Sequence, residues 1–333
     1  MARFVLQRLV FLALVLVGVS LITFAIAHLA PGDPARMMAG PAASGEAVAT
    51  LRAELGLDLP LWHQYARYLG DLLRFDLGTS NVSGEPVLGE ILSRAPASIE
   101  LMGSALLLSL LVGIPIGIGA AVKRGGWLDR TVSGLSVAGI SVPPFWLGLV
   151  MVIVFYRQLE WFPASGRFTG DPPPRVTGFL LMDSLLAFDL QALAAAAAHL
   201  ALPVLSLALL EAGPLARLVR NQMRAVLASD YVRMARASGL PERTILWRHA
   251  LRNALTPLVT LVAASIAMML FGSVSLETVF GWPGAGHYVV QSIFALDFPV
   301  IMGFAVLTAI AYVLVNTVAD VALGLIDPQV RPA

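Results

Sequence analysis

The residues of this chain that could do chemistry are few and scattered. Glu211 stands inside a long apolar run, where a carboxylate at mid-bilayer depth costs roughly 3 kcal/mol and must find a partner or water. Such a residue could carry a proton or couple to an ion. Arg217 is six residues on, beyond one helical turn, so a direct pair is not assured. The alternative is that the apolar run ends near Glu211 and leaves it at the membrane interface. His28, His199, Glu100 and Asp320 lie near the ends of apolar runs and read as interfacial groups rather than a relay. His249 and His287 have no partner at metal-ligand spacing, so no metal site is expected. Ser165, between Ala164 and Gly166, reads as a turn and not a nucleophile. The chain has no cysteine, no G-x-x-x-x-G-K-[ST], no H-E-x-x-H and no G-x-S-x-G. No catalytic residue is expected, and no cofactor bound by this chain. If the chain moves a solute uphill, the energy must come from a partner.

One polar stretch could receive that energy. Ser229–Pro257 carries Arg233, Arg236, Arg243, Arg248 and Arg252 in an otherwise oily sequence. It reads as two short helices with a break. Ser229 or Asp230 can cap the first. Gly239 suits the left-handed residue that ends it, and Pro241 suits the first turn of the second. Glu242 then falls where the helix dipole favours an anion. Trp247 and Leu251 are four apart on one face of the second helix, and Ile245 and His249 on another. Charge alone would also fit a basic loop that only sets topology. Two capped helices are more structure than topology needs.

The elements that must position these groups are membrane spans. Of 333 residues, 58% are hydrophobic and 13% charged, and the mean hydropathy is +0.80, which excludes an ordinary soluble domain. The net charge of +1 gives no reason to expect nucleic acid. Six runs approach the roughly 20 apolar residues that a crossing needs: 9–30, 101–122, 131–156, 190–216, 254–274 and 300–325. The first resembles a signal peptide but is too long for one, and reads as an uncleaved anchor. Arginines cluster at 3–8, 124–130, 217–224 and in Ser229–Pro257, which puts both termini and that polar stretch on the cytoplasmic side.

Four regions follow. Residues 1–30 are the cytoplasmic end and first span. Residues 31–96 form a large external loop with short helices, one starting at Asp58-Leu59-Pro60 with Leu61, Tyr65, Tyr68 and Leu72 along one side. Residues 97–326 form a five-helix core with a cytoplasmic loop at 217–256, and 327–333 form a tail. Pro143-Pro144 should kink the third span. Gly113, Gly117 and Gly119 around Pro115 suit close helix packing.

Several motifs, in this order and spacing, resemble the permease subunits of bacterial ABC importers for dipeptides, oligopeptides and nickel. They are Pro31-Gly32-Asp33-Pro34, Glu54-Leu55-Gly56-Leu57-Asp58, Asp76-Leu77-Gly78, Gly113-Ile114-Pro115, Ser165-Gly166-Arg167 and Asp230-Tyr231-Val232-Arg233. His249-Ala250-Leu251-Arg252-Asn253, Glu277-Thr278-Val279-Phe280, Pro283-Gly284-Ala285-Gly286 and Asp327-Pro328 complete the set. The resemblance covers essentially the whole chain.

It implies an all-α polytopic membrane protein of six transmembrane helices with the type I importer (MetI-like) permease fold, N- and C-terminus cytoplasmic, in the bacterial inner membrane. It implies a second homologous permease as a heterodimer partner, two ATPases that use ATP and Mg²⁺, and a periplasmic or lipid-anchored binding protein. The arginine-rich stretch resembles the family's coupling loop, whose general pattern is E-A-A, three residues, glycine, nine residues, I-x-L-P. Here Gly239 anchors the match, Arg233 replaces the glutamate, and His249 and Arg252 depart from I-x-L-P. ATPase contacts are then expected from Asp230, Tyr231, Arg233, Ala235, Arg236, Gly239, Leu240, His249, Leu251 and Asn253. A solute pathway is expected near Pro143, Pro144, Ser265, Met268, Met269 and Gly272. The expected cargo is a di- or oligopeptide. Nickel, opine or glutathione is the alternative within the family, and an ion-coupled secondary transporter the alternative outside it.

Overall fold

The computed structural model describes residues 2–29, 34–39, 43–54, 56–254 and 256–326. Among these residues the chain is helical, apart from turns, loops and one isolated antiparallel bridge between Thr79 and Pro86. Motif residues Pro31, Gly32, Asp33, Leu55, Asp327 and Pro328, the tail 327–333 and the Arg252 side chain lie outside the described residues. The chain divides into two compact units, 1–95 with 288–313 and 96–287 with 314–333.

The first unit begins with α1 (Ala2–Leu29), followed by α2 (Pro34–Ala39), α3 (Gly45–Glu54) and α4 (Leu61–Leu73). α1 is apolar on every side, and Leu6, Leu14 and Ile22 are exposed, as suits a helix in lipid. α4 starts directly after Pro60, as its sequence signals suggest. Tyr65 and Tyr68 are half-buried. The Tyr65 hydroxyl lies 3.0 Å from Ser20 Oγ, and Phe24 packs edge-on to the Tyr65 ring. Leu61, expected on the same side, is exposed.

α5 (Val87–Val122) starts well before the expected 101 and runs through Pro96 and Pro115. After a turn come α6 (Trp127–Ser141) and α7 (Pro144–Met151), the latter continuing as a π-helix over 152–158. The expected single third span is therefore two helices. Pro143 is extended (φ −64°, ψ 138°) and Pro144 opens the new helix. Two successive prolines lack two N–H donors, and the residue before a proline is driven out of the helical region. That breaks the helix rather than bending it.

α8 (Leu180–Leu186) and α9 (Leu190–Leu227) follow. The Asp189 carboxylate caps α9 by accepting the Ala192 N–H at 2.9 Å. α9 is the spine of the second unit. A Cβ on Gly213 would stand 2.8 Å from the Ser136 N, and one on Gly139 would clash with the Leu210 carbonyl, so α6 and α9 meet backbone to backbone. Gly113 and Gly117 on α5 lie in the same way against Leu215 and Val219.

Beyond α9 the helices are α10 (Asp230–Ala237), α11 (Glu242–Thr244), a π-helix at 245–250, α12 (Leu251–Ala254), α13 (Thr256–Val279), α14 (Ala285–Phe294) and α15 (Phe298–Ile326). Among the described residues five helices are long and apolar enough to cross a bilayer, within 6–29, 87–122, 190–227, 257–279 and 298–324. Residues 144–158 form a shorter apolar helix.

Candidate functional site

The segment from α10 to α12 is built as a folded hairpin. Ser229 occupies the N-cap position of α10, but its hydroxyl donates back to the Val226 carbonyl at 2.5 Å instead of capping. Asp230 sits in the first turn and pairs with Arg233. At the other end Gly239 has φ +78°. The Leu240 N–H reaches the Ala235 carbonyl at 3.2 Å and the Gly239 N–H reaches Arg236 O at 3.0 Å. This pairing closes a helix through a left-handed residue and is the role expected of Gly239. Pro241 is the N-cap of α11, one place earlier than expected, and Glu242 follows in the first turn.

Two side-chain bridges hold the hairpin shut. Arg236 Nε donates to Glu242 Oε1 at 2.6 Å, and Asn253 Nδ2 donates to the Tyr231 hydroxyl at 2.7 Å. The Arg236 guanidinium holds the Glu242 carboxyl below its usual range, chiefly through that hydrogen bond. Val232, Ile245 and Ala250 point inward and are fully buried. Ala250 and Ala254 join Met223, Val219 and Ile118 in one apolar cluster. The opposite side shows Tyr231, Met234, Leu240 and Trp247 to the outside, with Met234 73% exposed. Residues 245–250 wind as a π-helix, so the four-residue pairings read from the sequence do not hold there. His249 and Leu251 are half-buried.

α9 is fastened to the first turn of α6 by charge. Arg220 Nη1 lies 2.7 Å from Asp129 Oδ1, and Arg224 Nη2 lies 2.8 Å from Oδ2. The Gly125 N–H donates to the same carboxylate at 3.0 Å. The Arg224 hydrogen bond first, then those from Gly125 and Arg220, holds Asp129 down to about 2. No sequence spacing signals this cluster, because Asp129 is 91 residues from Arg220. The i, i+4 arginines on α9 are its only local trace.

At the other end of α9, polar groups pin the 163–189 loop. Arg167 Nη2 meets Glu100 Oε2 at 2.5 Å and also donates to the Gly178 carbonyl at 2.8 Å. Glu100 is buried and ion-paired. His199, also buried, lies 2.8 Å from Thr169 Oγ1. For Asp183, burial works against ionisation, but hydrogen bonds from the Thr177 hydroxyl and the Thr177 and Gly178 N–H groups outweigh it and hold the carboxyl below its usual range.

The expected pathway residues separate. Gly272 lies beside Pro144 and Leu207, so that pair does come together. Pro143 is exposed. Ser265 is buried on α13, and Glu211 is half-buried on α9, which continues as helix to Leu227. Met269 is buried in the core with Leu207, whereas Met268 points outward, 67% exposed. Among the described residues no group of three His, Asp or Glu side chains could hold a metal ion. The arrangement offers helices fastened by ion pairs and a folded hairpin with exposed apolar side chains.

Residues 113–332 match the family of binding-protein-dependent transport system inner membrane components, and 1–102 match that family's N-terminal region. The chain belongs to this family. It is a multi-pass component of the inner membrane. Among its relatives is the probable D,D-dipeptide transport system permease of Escherichia coli K12, 50% identical over 97% of this permease and 96% of that protein. The dipeptide transport system permease of the same strain is 38% identical over 99% of both. A solved methionine ABC transporter in an inward-facing conformation has a chain of like fold, with TM-score 0.52 and 18% identity over 69% of this permease and 93% of that chain. Both of these Escherichia coli relatives are transport permeases, in keeping with a non-catalytic membrane subunit.

Proposed function

We propose that this permease pairs with a second, homologous permease and lines with it the pathway for dipeptides handed over by an extracytoplasmic binding protein. Two separate ATPases, which use ATP and Mg²⁺, dock on the hairpin of residues 230–254. Six crossings with both termini inside fit this reading, the third being α6 and α7 in series. The observation that carries the cargo class is the relative sharing half of its residues over nearly the full length, which is named for D,D-dipeptides. The docking assignment rests on a face of exposed apolar side chains, Tyr231, Met234, Leu240 and Trp247, carried on an arginine-rich segment. Asp230, Arg233, Ala235, Arg236, Gly239 and Asn253 shape that face, and His249 and Leu251 lie under it. Glu211, Ser265, Pro144 and Gly272 line the transport route in this scheme.

The test is reconstitution in liposomes with the second permease, the two ATPases and the binding protein. ATP-dependent uptake of labelled D-alanyl-D-alanine or L-alanyl-L-alanine is expected, with glutathione and nickel as controls. Uptake driven by an ion gradient from the single chain, without ATPase, would overturn the proposal.

A further inference from the structure

The first unit contains a cavity of about 800 Å³ that the transport reading does not use. Its walls include Phe24, Ala27 and His28 near the C-terminal end of α1, and Phe298, Pro299 and Met302 at the N-terminal end of α15. Two membrane-length helices end here, which sets the cavity at the depth where hydrocarbon gives way to headgroups. The remaining wall mixes apolar residues, Leu57, Leu59 and Leu61 among them, with polar ones, and Arg52, Arg67 and Asp71 are its charged side chains. Arg67 and Asp71, one turn apart on α4, form no ion pair with each other among the described residues.

Gly56 shows how the cationic side is shaped. It has φ +69°, and a Cβ there would stand 3.2 Å from Arg67 Nη1 and 3.3 Å from Leu59 Cδ1. Glycine lets the guanidinium lie across the backbone at the cavity edge. Gly56 and Leu57 belong to the Glu54–Asp58 motif and Gly78 to the Asp76–Gly78 motif, and all three line the same cavity.

We propose that this cavity binds a zwitterionic phospholipid. The phosphate lies against Arg52 and Arg67, the headgroup ammonium against Asp71, and the first acyl carbons against Phe24, Phe298 and Met302. Guanidinium forks suit phosphate oxyanions, and a lone carboxylate beside them selects a headgroup that carries its own cation. An oxyanion and an ammonium on an apolar body also describe a dipeptide. Membrane-helix walls at interface depth favour the lipid, whose chains continue along α1 where its side chains are exposed.

The test uses the co-expressed complex in nanodiscs of equal phosphatidylethanolamine and phosphatidylglycerol. It is then washed in mild detergent, and retained lipid is counted by mass spectrometry. The wild-type complex is expected to keep phosphatidylethanolamine several-fold over phosphatidylglycerol. R52Q/R67Q should cut that retention several-fold, and D71N should erase the preference without emptying the site. Equal retention by an assembled R52Q/R67Q complex would overturn the proposal. If that variant does not assemble, the wild type decides alone, and absence of the headgroup preference overturns it. Binding of labelled dialanine by the complex without binding protein, lost in R67Q, would assign the cavity to peptide instead.

Discussion

Asn253 donates its side-chain N–H to the Tyr231 hydroxyl at 2.7 Å, joining α12 to α10 across 22 residues. The bond sets the angle between the two arms of the hairpin, and Tyr231 itself remains partly exposed. One such hydrogen bond contributes about 0.5–1.5 kcal/mol. Tyr231→Phe should therefore lower ATPase affinity by about two- to tenfold, with the chain still inserted. Titration of detergent-solubilised permease with ATPase reads this directly. Unchanged affinity would mean that the hairpin angle does not matter for docking.

Arg233 and Arg236 both face acids of their own segment, Asp230 and Glu242. Reversing both arginines to glutamate places like charges side by side and takes cations from the docking face. Recovery of ATPase with an affinity-tagged permease should fall at least about tenfold, the change expected for about 1.4 kcal/mol, while membrane-fraction yield stays level. The swap R236E/E242R restores the pair and should recover more ATPase than R236E alone. Equal recovery in the two would show that the pair itself is unimportant.

Gly239 has open space around its absent Cβ, yet holds φ +78°. The cost of substitution is thus backbone strain and not collision. An ordinary L-residue there costs roughly 1–2 kcal/mol, and asparagine less. ATPase recovery and transport should rank Gly239→Asn above Gly239→Ala, with Gly239→Val and Gly239→Pro lowest. A ranking by side-chain volume alone would contradict this.

Asp129 serves two arginines at once. Its folded-state pKa, about 2, lies below the usual aspartate value of about 3.9. The contribution to stability is therefore complete above about pH 4 and fades only as pH falls towards 2. Asp129→Asn should lower the melting temperature of the purified complex by a similar amount at pH 6 and pH 8. A defect that appears at only one of those values would rule out the carboxylate as the cause.

Regularity explains what could be read from the sequence. Apolar length marked five spans, and proline with glycine marked both α4 and the hairpin, because those signals act within a few residues. The Pro143-Pro144 pair was visible, but whether it bends or severs a helix depends on the residues around it. Glu100 and His199 stand near the ends of apolar runs, and only the fold of the 163–189 loop turns them into buried, bonded groups. Asp129 reaches Arg220 through the packing of α6 on α9, which rests on the small residues Gly139 and Gly213. Met268 and Met269 are sequence neighbours sent to different surroundings by helical rotation, the first exposed and the second in the core.

α9 runs unbroken for 38 residues, about 57 Å at the usual rise, despite Pro203 and Pro214. It leaves α8 at one end and enters α10 at the other, and touches α6, α7, α12 and α13 between. It is therefore placed as a tie-rod, one continuous helix that joins the arginine-rich hairpin at one end to His199 and the loop clasped around it at the other, and passes Glu211 between them.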